Sequence, residues 1–217
     1  FDFDLRLLLM RYLNRIEIAF RTSLIYHISN KYGSNPTWFV SPSVVDRSYA
    51  RDFEQKVYTP DFKRNPIIHR HHKNNPDDRF APAWKTIEFM TFGALLKLYG
   101  QLKEREDKIS VAHGFGIRQT VTFESYMHTI RQVRNACAHG LLLYDLHLPQ
   151  AIRRGPAPYN PAERNNIIGA LRVIRYVMEQ VSVNRAADMA RLIKNRYDEL
   201  CLASLNLKPL IPDFSTI

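Results

Sequence analysis

Apolar positions in the first part of the chain recur at steps of three and four. From Asp4 to Tyr32 the series Leu5, Leu8, Leu9, Leu13, Ile16, Phe20, Leu24 and Ile28 falls on one face, and Gly33 follows as a stop, which predicts one long amphipathic helix. The other face carries Arg6, Arg11, Arg15, Glu17 and Arg21, the pattern of a solvated face and one that also suits a phosphate ribbon. "NPTWFVSPS" reads as a loop, and a shorter helix is predicted from Asp46 to Val57. Between residues 59 and 82 the period fails. "TPDFKRNPIIHRHHKNNPDDRFAP" mixes prolines with basic and acidic clusters, which predicts a long surface loop.

The helical period returns at Pro82, with Trp84, Ile87, Met90, Thr91, Ala94, Leu95 and Leu98 as the predicted buried stripe of one helix containing Gly93. "LKEREDKIS" and "VAHGFGI" read as a charged helix end and a turn. The next helix is predicted to start near Thr122, whose hydroxyl would cap the Ser125 amide, and to run through Phe123, Tyr126, Met127, Ile130, Val133 and Cys137. "AIRRGPAPY" is a basic, proline-rich loop. "NPAE" then predicts a helix start with Asn160 as cap, Pro161 first and Glu163 third, running to about Gln180 and followed by a helix from about Arg185 to Leu202. No stretch alternates with β-branched enrichment, so the expected fold class is all-α, a bundle of five to six helices with long loops.

Composition adds an electrostatic bias. The 217 residues, expected to form a single domain, include 31 Lys and Arg against 21 Asp and Glu, a formal net charge of +10 that favours polyanion partners. No run approaches the roughly 18 apolar residues of a membrane span, and "FDFDLRLLLM" carries charges where a signal peptide has none, so a soluble, cytoplasmic protein without a membrane partner is expected. Cys137 and Cys201 offer no disulfide framework or paired-cysteine metal knuckle, which fits a reducing compartment. The start without Met, already inside an amphipathic pattern, is that of a fragment or of a chain whose N-terminus lies upstream.

One stretch carries candidate chemistry. In "RQVRNACAHG", residues four apart share a helix face, so His128, Arg131 or Gln132, Asn135 and His139 form a polar ridge and Asn135 is placed to hold the tautomer of His139. Arg134 and His139 are five apart, about 140° around and about 7.5 Å along a regular helix. One helix therefore makes no tight Arg/His pair, but two copies about a two-fold axis present the motif twice. Two histidines and an arginine supply a base for a 2′-hydroxyl, an acid for the leaving 5′-oxygen and a cation for the phosphorane, with no metal or other cofactor. The competing reading is structural, because cations at a helix C-terminus are stabilised by the helix dipole.

Arg134, Asn135 and His139 match the Arg-polar-x3-His motif of HEPN domains. The chain also resembles, nearly throughout, the abortive-infection family of AbiD and AbiF type proteins, through "FDFDLRLLLMRYLNRIEIAFRTSLIYHISNKYG", "APAWKTIEFMTFGALLKLYGQL", "IRQVRNACAHG" and a fainter "LNLKPLIPDF". The resemblance implies a HEPN-like helical fold, a homodimer, defence against phage by toxin-like RNA cleavage, and for some members an associated small non-coding RNA. It implies that Arg134 positions the scissile phosphate, His139 is general acid and base, and Asn135 orients it. Many relatives continue after the histidine with basic or polar residues, whereas this chain reads "GLLLYD", so the grip on RNA must come from elsewhere.

Candidates for that grip are His128 and Arg131 on the ridge, Arg70, His71, His72 and Lys73 in "HRHHK", and Arg153 and Arg154 in the proline-rich loop. Beside "HRHHK", Lys63, Arg64 and Arg79 add charge, and Tyr58, Phe62 and Phe80 add stacking surfaces. "HRHHK" lacks the carboxylate or cysteine that would complete a metal site. Three functions compete: a dimeric RNA endonuclease, a noncatalytic RNA-binding module, and a protein-interaction domain in which the ridge is only a dimer contact.

Overall fold

The computed structural model describes residues 1–203 and 212–217, so most of the "LNLKPLIPDF" block, residues 205–211, lies outside the described residues. The described residues form ten α-helices and no strand, the all-α class expected. The helices are α1 (Asp2–Lys31), α2 (Arg47–Lys56), α3 (Pro60–Lys63), α4 (Pro66–Asn74), α5 (Ala83–Thr86), α6 (Phe92–Gly100), α7 (Arg105–His113), α8 (Thr120–Ala138), α9 (Ile167–Val181) and α10 (Val183–Ala203). The chain divides into two compact units, one of Phe1–Ala19 with Ala112–Ile217 and one of Phe20–Val111.

The unit of residues 20–111 is built on aromatic side chains. Phe39, Phe53, Tyr58 and Phe80 are buried, with Phe39 and Phe53 ring centroids 5.1 Å apart, Phe53 and Phe80 5.9 Å, and Tyr58 and Phe80 5.2 Å. Segment 59–82 wraps this cluster and is not the predicted loop. Two of the prolines that broke the period start helices: Pro60 follows Thr59, whose hydroxyl accepts from the Phe62 amide, and Pro66 follows Asn65, whose carboxamide accepts from the Ile67 amide. Helices of four and nine residues are too short to show a period. The expected stacking surfaces Tyr58 and Phe80 are core residues, buried by the packing that orders the segment.

The single helix predicted from Pro82 is also broken. α5 runs into a 3₁₀ turn, Met90 is extended at ψ 140, and Thr91 restarts the chain as cap of α6, its hydroxyl accepting from the Ala94 amide at 3.3 Å. The freed Met90 carbonyl accepts from Arg21 of α1 at 3.0 Å. Trp84 and Thr91 are consequently exposed, against the predicted stripe, while Ile87, Met90, Leu95 and Leu98 are buried.

In the other unit, α9 packs between α8 and α10. Its core takes Leu5, Leu9, Leu13 and Ile16 from α1, Phe123, Met127, Ile130 and Val133 from α8, Leu171, Ile174 and Val177 from α9, and Met189 and Ile193 from α10. Two predicted starts shift. α8 begins at Thr120, and Thr122 is a buried side chain whose hydroxyl donates to Gln119 Oε1 at 3.2 Å, so it is no cap. "NPAE" forms a 3₁₀ turn, with the Asn160 amide donating to Glu163 at 2.9 Å, and α9 starts later with Asn166 accepting from the Gly169 amide at 3.1 Å. The turn folds back on Gly169: a Cβ there would lie 2.1 Å from the Glu163 carbonyl oxygen, so only glycine admits this approach.

Candidate functional site

The end of α8 is written in its sequence. His139 is the C-cap, and Gly140 follows at φ 72, the left-handed conformation glycine adopts without penalty. The Leu141 amide then donates to the Ala136 carbonyl at 2.9 Å and the Gly140 amide to Cys137 at 3.4 Å, a Schellman turn that closes the helix. His139 is left exposed at the helix end.

Two α1 residues hold the chain that leaves this turn. Asp2 accepts from the Leu143 and Tyr144 amides at 2.8 and 3.2 Å. Arg6 donates to the carbonyls of Gly140 and Leu141 at 2.9 and 3.0 Å and pairs with Asp2 at 3.2 Å. Leu143 is buried by this arrangement, while Leu141 and Leu142 stay exposed, as do Phe3 and Leu7 on either side of Arg6. Sequence reasoning marks neither Asp2 nor Arg6 as part of the site, and places Arg6 among the solvated arginines. The one local signal is the opposite-charge pair at i and i+4 in the first turn.

Arg134 faces α1 from the last turns of α8. It is half-buried, its Nε 3.8 Å from the carboxylate of buried Glu17 on α1, and it donates to Asn135 Oδ1 at 3.4 Å. The Asn135 carboxamide oxygen accepts from the adjacent Arg134 guanidinium at 3.4 Å, and the bond joining His139 to Asn135 among the described residues is the backbone one, at 2.9 Å. Cys137 is buried, which raises its thiol to about 12 and leaves it a core residue, not a nucleophile.

Of the expected ridge residues, His128 and Gln132, with Val121 and Ser125, line a polar hollow of about 510 Å³ on one face of α8. Its far wall is a short ribbon in which the Leu148 amide donates to Asn165 at 2.7 Å and the Ile152 amide to Arg164 at 2.8 Å, with His147 bridged to Asn166. The ribbon brings Arg153 and Arg164 to the hollow. Arg153 is fixed by its backbone amide donating to Ser125 Oγ at 3.0 Å, and the carbonyl of neighbouring Arg154 accepts from Thr122 at 3.4 Å. Partial burial and then the Arg131 charge push His128 below the usual histidine value, with Glu124 opposing. Arg131 is half-buried, and its Nε has no hydrogen-bond partner among the described residues.

"HRHHK" belongs to the other unit and lies on α4. His71 is buried, 3.1 Å from Asp78 but off hydrogen-bonding alignment, which corrects its reading as an RNA-facing side chain. His72 takes a 2.9 Å bond with the Tyr58 hydroxyl, which itself accepts from the Ala81 amide. Burial, then the neighbouring charges of His71 and Lys63, lower its pKa. Lys63 and Arg79 pair with Glu54, and Arg64 with Asp61. Arg70 and Lys73 remain exposed without a partner among the described residues.

Among the described residues no group of three His, Cys, Asp or Glu side chains is placed to hold a metal ion. No helix of the described residues is long and apolar enough to cross a membrane. The described residues thus define an all-α protein whose candidate site is a helix capped at its end by His139. The chain matches the Abi-like protein family over residues 1–145 and belongs to it, a membership that points to a role in abortive infection. The matched region holds both the Asp2/Arg6 clamp and the Arg134 to His139 motif. No curated protein and no solved structure matches the chain.

Proposed function

We propose that this Abi-like protein is an RNA endonuclease of the HEPN type, cleaving by attack of a 2′-hydroxyl at a site assembled from two copies. The observation that carries the reading is the division of labour on α8: Arg134 rests against Glu17 of α1, and His139 stands exposed at the clamped helix end. Within one helix these two groups form no tight pair. Exposed Phe3, Leu7, Leu141 and Leu142 lie next to the helix end and supply an apolar surface for the second copy.

In the assembled cleft one His139 takes the proton from the 2′-hydroxyl as its oxygen bonds to phosphorus. The His139 of the second copy protonates the departing 5′-oxygen, leaving a 2′,3′-cyclic phosphate and a 5′-hydroxyl. Arg134 balances the charge gathering on the phosphorane oxygens. Asn135, one helical turn before His139, is the residue assigned to orient its imidazole in the dimer.

The test is cleavage of single-stranded RNA in the presence of EDTA by the whole chain and by Arg134→Ala and His139→Ala. Both variants should lose cleavage while circular dichroism is unchanged. Undiminished cleavage by either variant overturns the reading. Salt-dependent RNA binding without any product from the wild type would instead make the chain a noncatalytic RNA-binding module.

A further inference from the structure

The hollow beside α8 has the makings of a second binding element. Its volume, about 510 Å³, is in the range of small-ligand sites. Arg153 and Arg164 bring two guanidinium groups to it. Arg164 is held by donating from Nε to the Ile152 carbonyl at 2.8 Å, and the Arg153 carbonyl accepts from the Tyr159 hydroxyl. The remaining guanidinium nitrogens of both have no hydrogen-bond partner among the described residues.

The rest of the lining can read a base. Gln132 and Gln150 present carboxamides with no partner among the described residues, and each offers a donor and an acceptor side by side. Glu124 is the one carboxylate on the lining among the described residues. Among the described residues His128 is the one aromatic ring on the lining, and it offers a base a face to stack on. Gln132 and His139 are seven residues apart, on nearly the same face and about 10.5 Å along the axis, so one strand can reach both. Such a hollow also supplies the grip that "GLLLYD" lacks.

We infer that this hollow is a base-reading nucleotide subsite for single-stranded RNA, with Arg153 and Arg164 holding one phosphate and Gln132 and Gln150 reading the adjoining base. The inference rests on the reading of His139 as part of an RNA-cleaving centre. It adds a sequence preference at a single nucleotide near the cut.

The experiment uses the full chain carrying His139→Ala, so that RNA stays intact, with fluorescence anisotropy of labelled single-stranded oligonucleotides at several salt concentrations. Adding Arg153→Ala and Arg164→Ala should weaken binding about tenfold or more and lower the salt slope by about one for each phosphate no longer neutralised. Gln132→Leu with Gln150→Leu should flatten the ranking of A, C, G and U homopolymers while leaving the salt slope in place. Because Arg164 also holds the ribbon, Arg153→Ala alone, which removes no intramolecular side-chain bond, is the control for folding. Unchanged affinity and ranking in the folded variants overturn the subsite, and cleavage by the wild type would then leave the endonuclease reading standing. Loss of affinity in the arginine variants without cleavage by the wild type overturns the endonuclease reading and keeps the subsite.

Discussion

Two basic, histidine-bearing stretches of this chain meet opposite fates. Around "HRHHK", Glu54 takes up Lys63 and Arg79, Asp61 takes up Arg64, His71 is buried beside Asp78, and His72 serves the Tyr58 hydroxyl. Around "RQVRNACAHG" the fold directs its bonds to the backbone of the turn, through Asp2 and Arg6, and leaves the His139 side chain at the surface. Counting charges ranks the first stretch higher. What separates them is whether the fold has already supplied partners, because a cation or imidazole satisfied within the chain has little left to offer a ligand.

The contrast can be broken most sharply by Phe80→Ala. It removes a buried ring packed on Phe39, Phe53 and Tyr58 and should cost about 3–5 kcal/mol in urea denaturation, whereas His139→Ala should stay within about 0.5 kcal/mol. Equal costs would mean that His139 belongs to the core after all. Next is Arg6→Ala, which releases two carbonyls and Asp2 and should cost about 1–2 kcal/mol. It should also slow RNA cleavage by loosening the turn behind His139, and Arg6→Lys, which keeps the charge but not the two-carbonyl reach, should recover only part of the rate. A destabilised variant with full cleavage would show that the clamp is structural only.

Gly140→Ala should cost about 1 kcal/mol, since its φ of 72 strains any side chain and a Cβ would meet nothing within 4 Å that compensates. The smallest effect concerns pH. His72 is held below its ordinary 6.5, so as pH falls through that value the unfolded chain binds the proton first and stability declines. Denaturation midpoints at pH 7.5 and pH 5 should therefore differ less in His72→Gln than in the wild type. An identical difference would show that the ring bonded to Tyr58 does not couple folding to pH.

How legible each element is depends on distance along the chain. α1, α8, α9 and α10 are readable because their apolar stripes repeat over several turns. α3 and α4 are not, because a proline at the first position of a short helix and a proline in a loop look alike until the aromatic cluster they cover is known. Arg134, Asn135 and His139 stand out from local spacing. Arg6 acts on a carbonyl 134 residues away, and Arg164 reaches its hollow through pairing of the ribbon, so neither has a local pattern to give it away.

The central claim is that cleavage needs His139 from both copies of a dimer. His139→Ala chains mixed in roughly ninefold excess with wild type draw nearly every wild-type chain into a mixed dimer, so about a tenth of the activity of that wild type alone should remain for random pairing. Activity unchanged by the added variant, with mixed dimers shown by sedimentation, would contradict it.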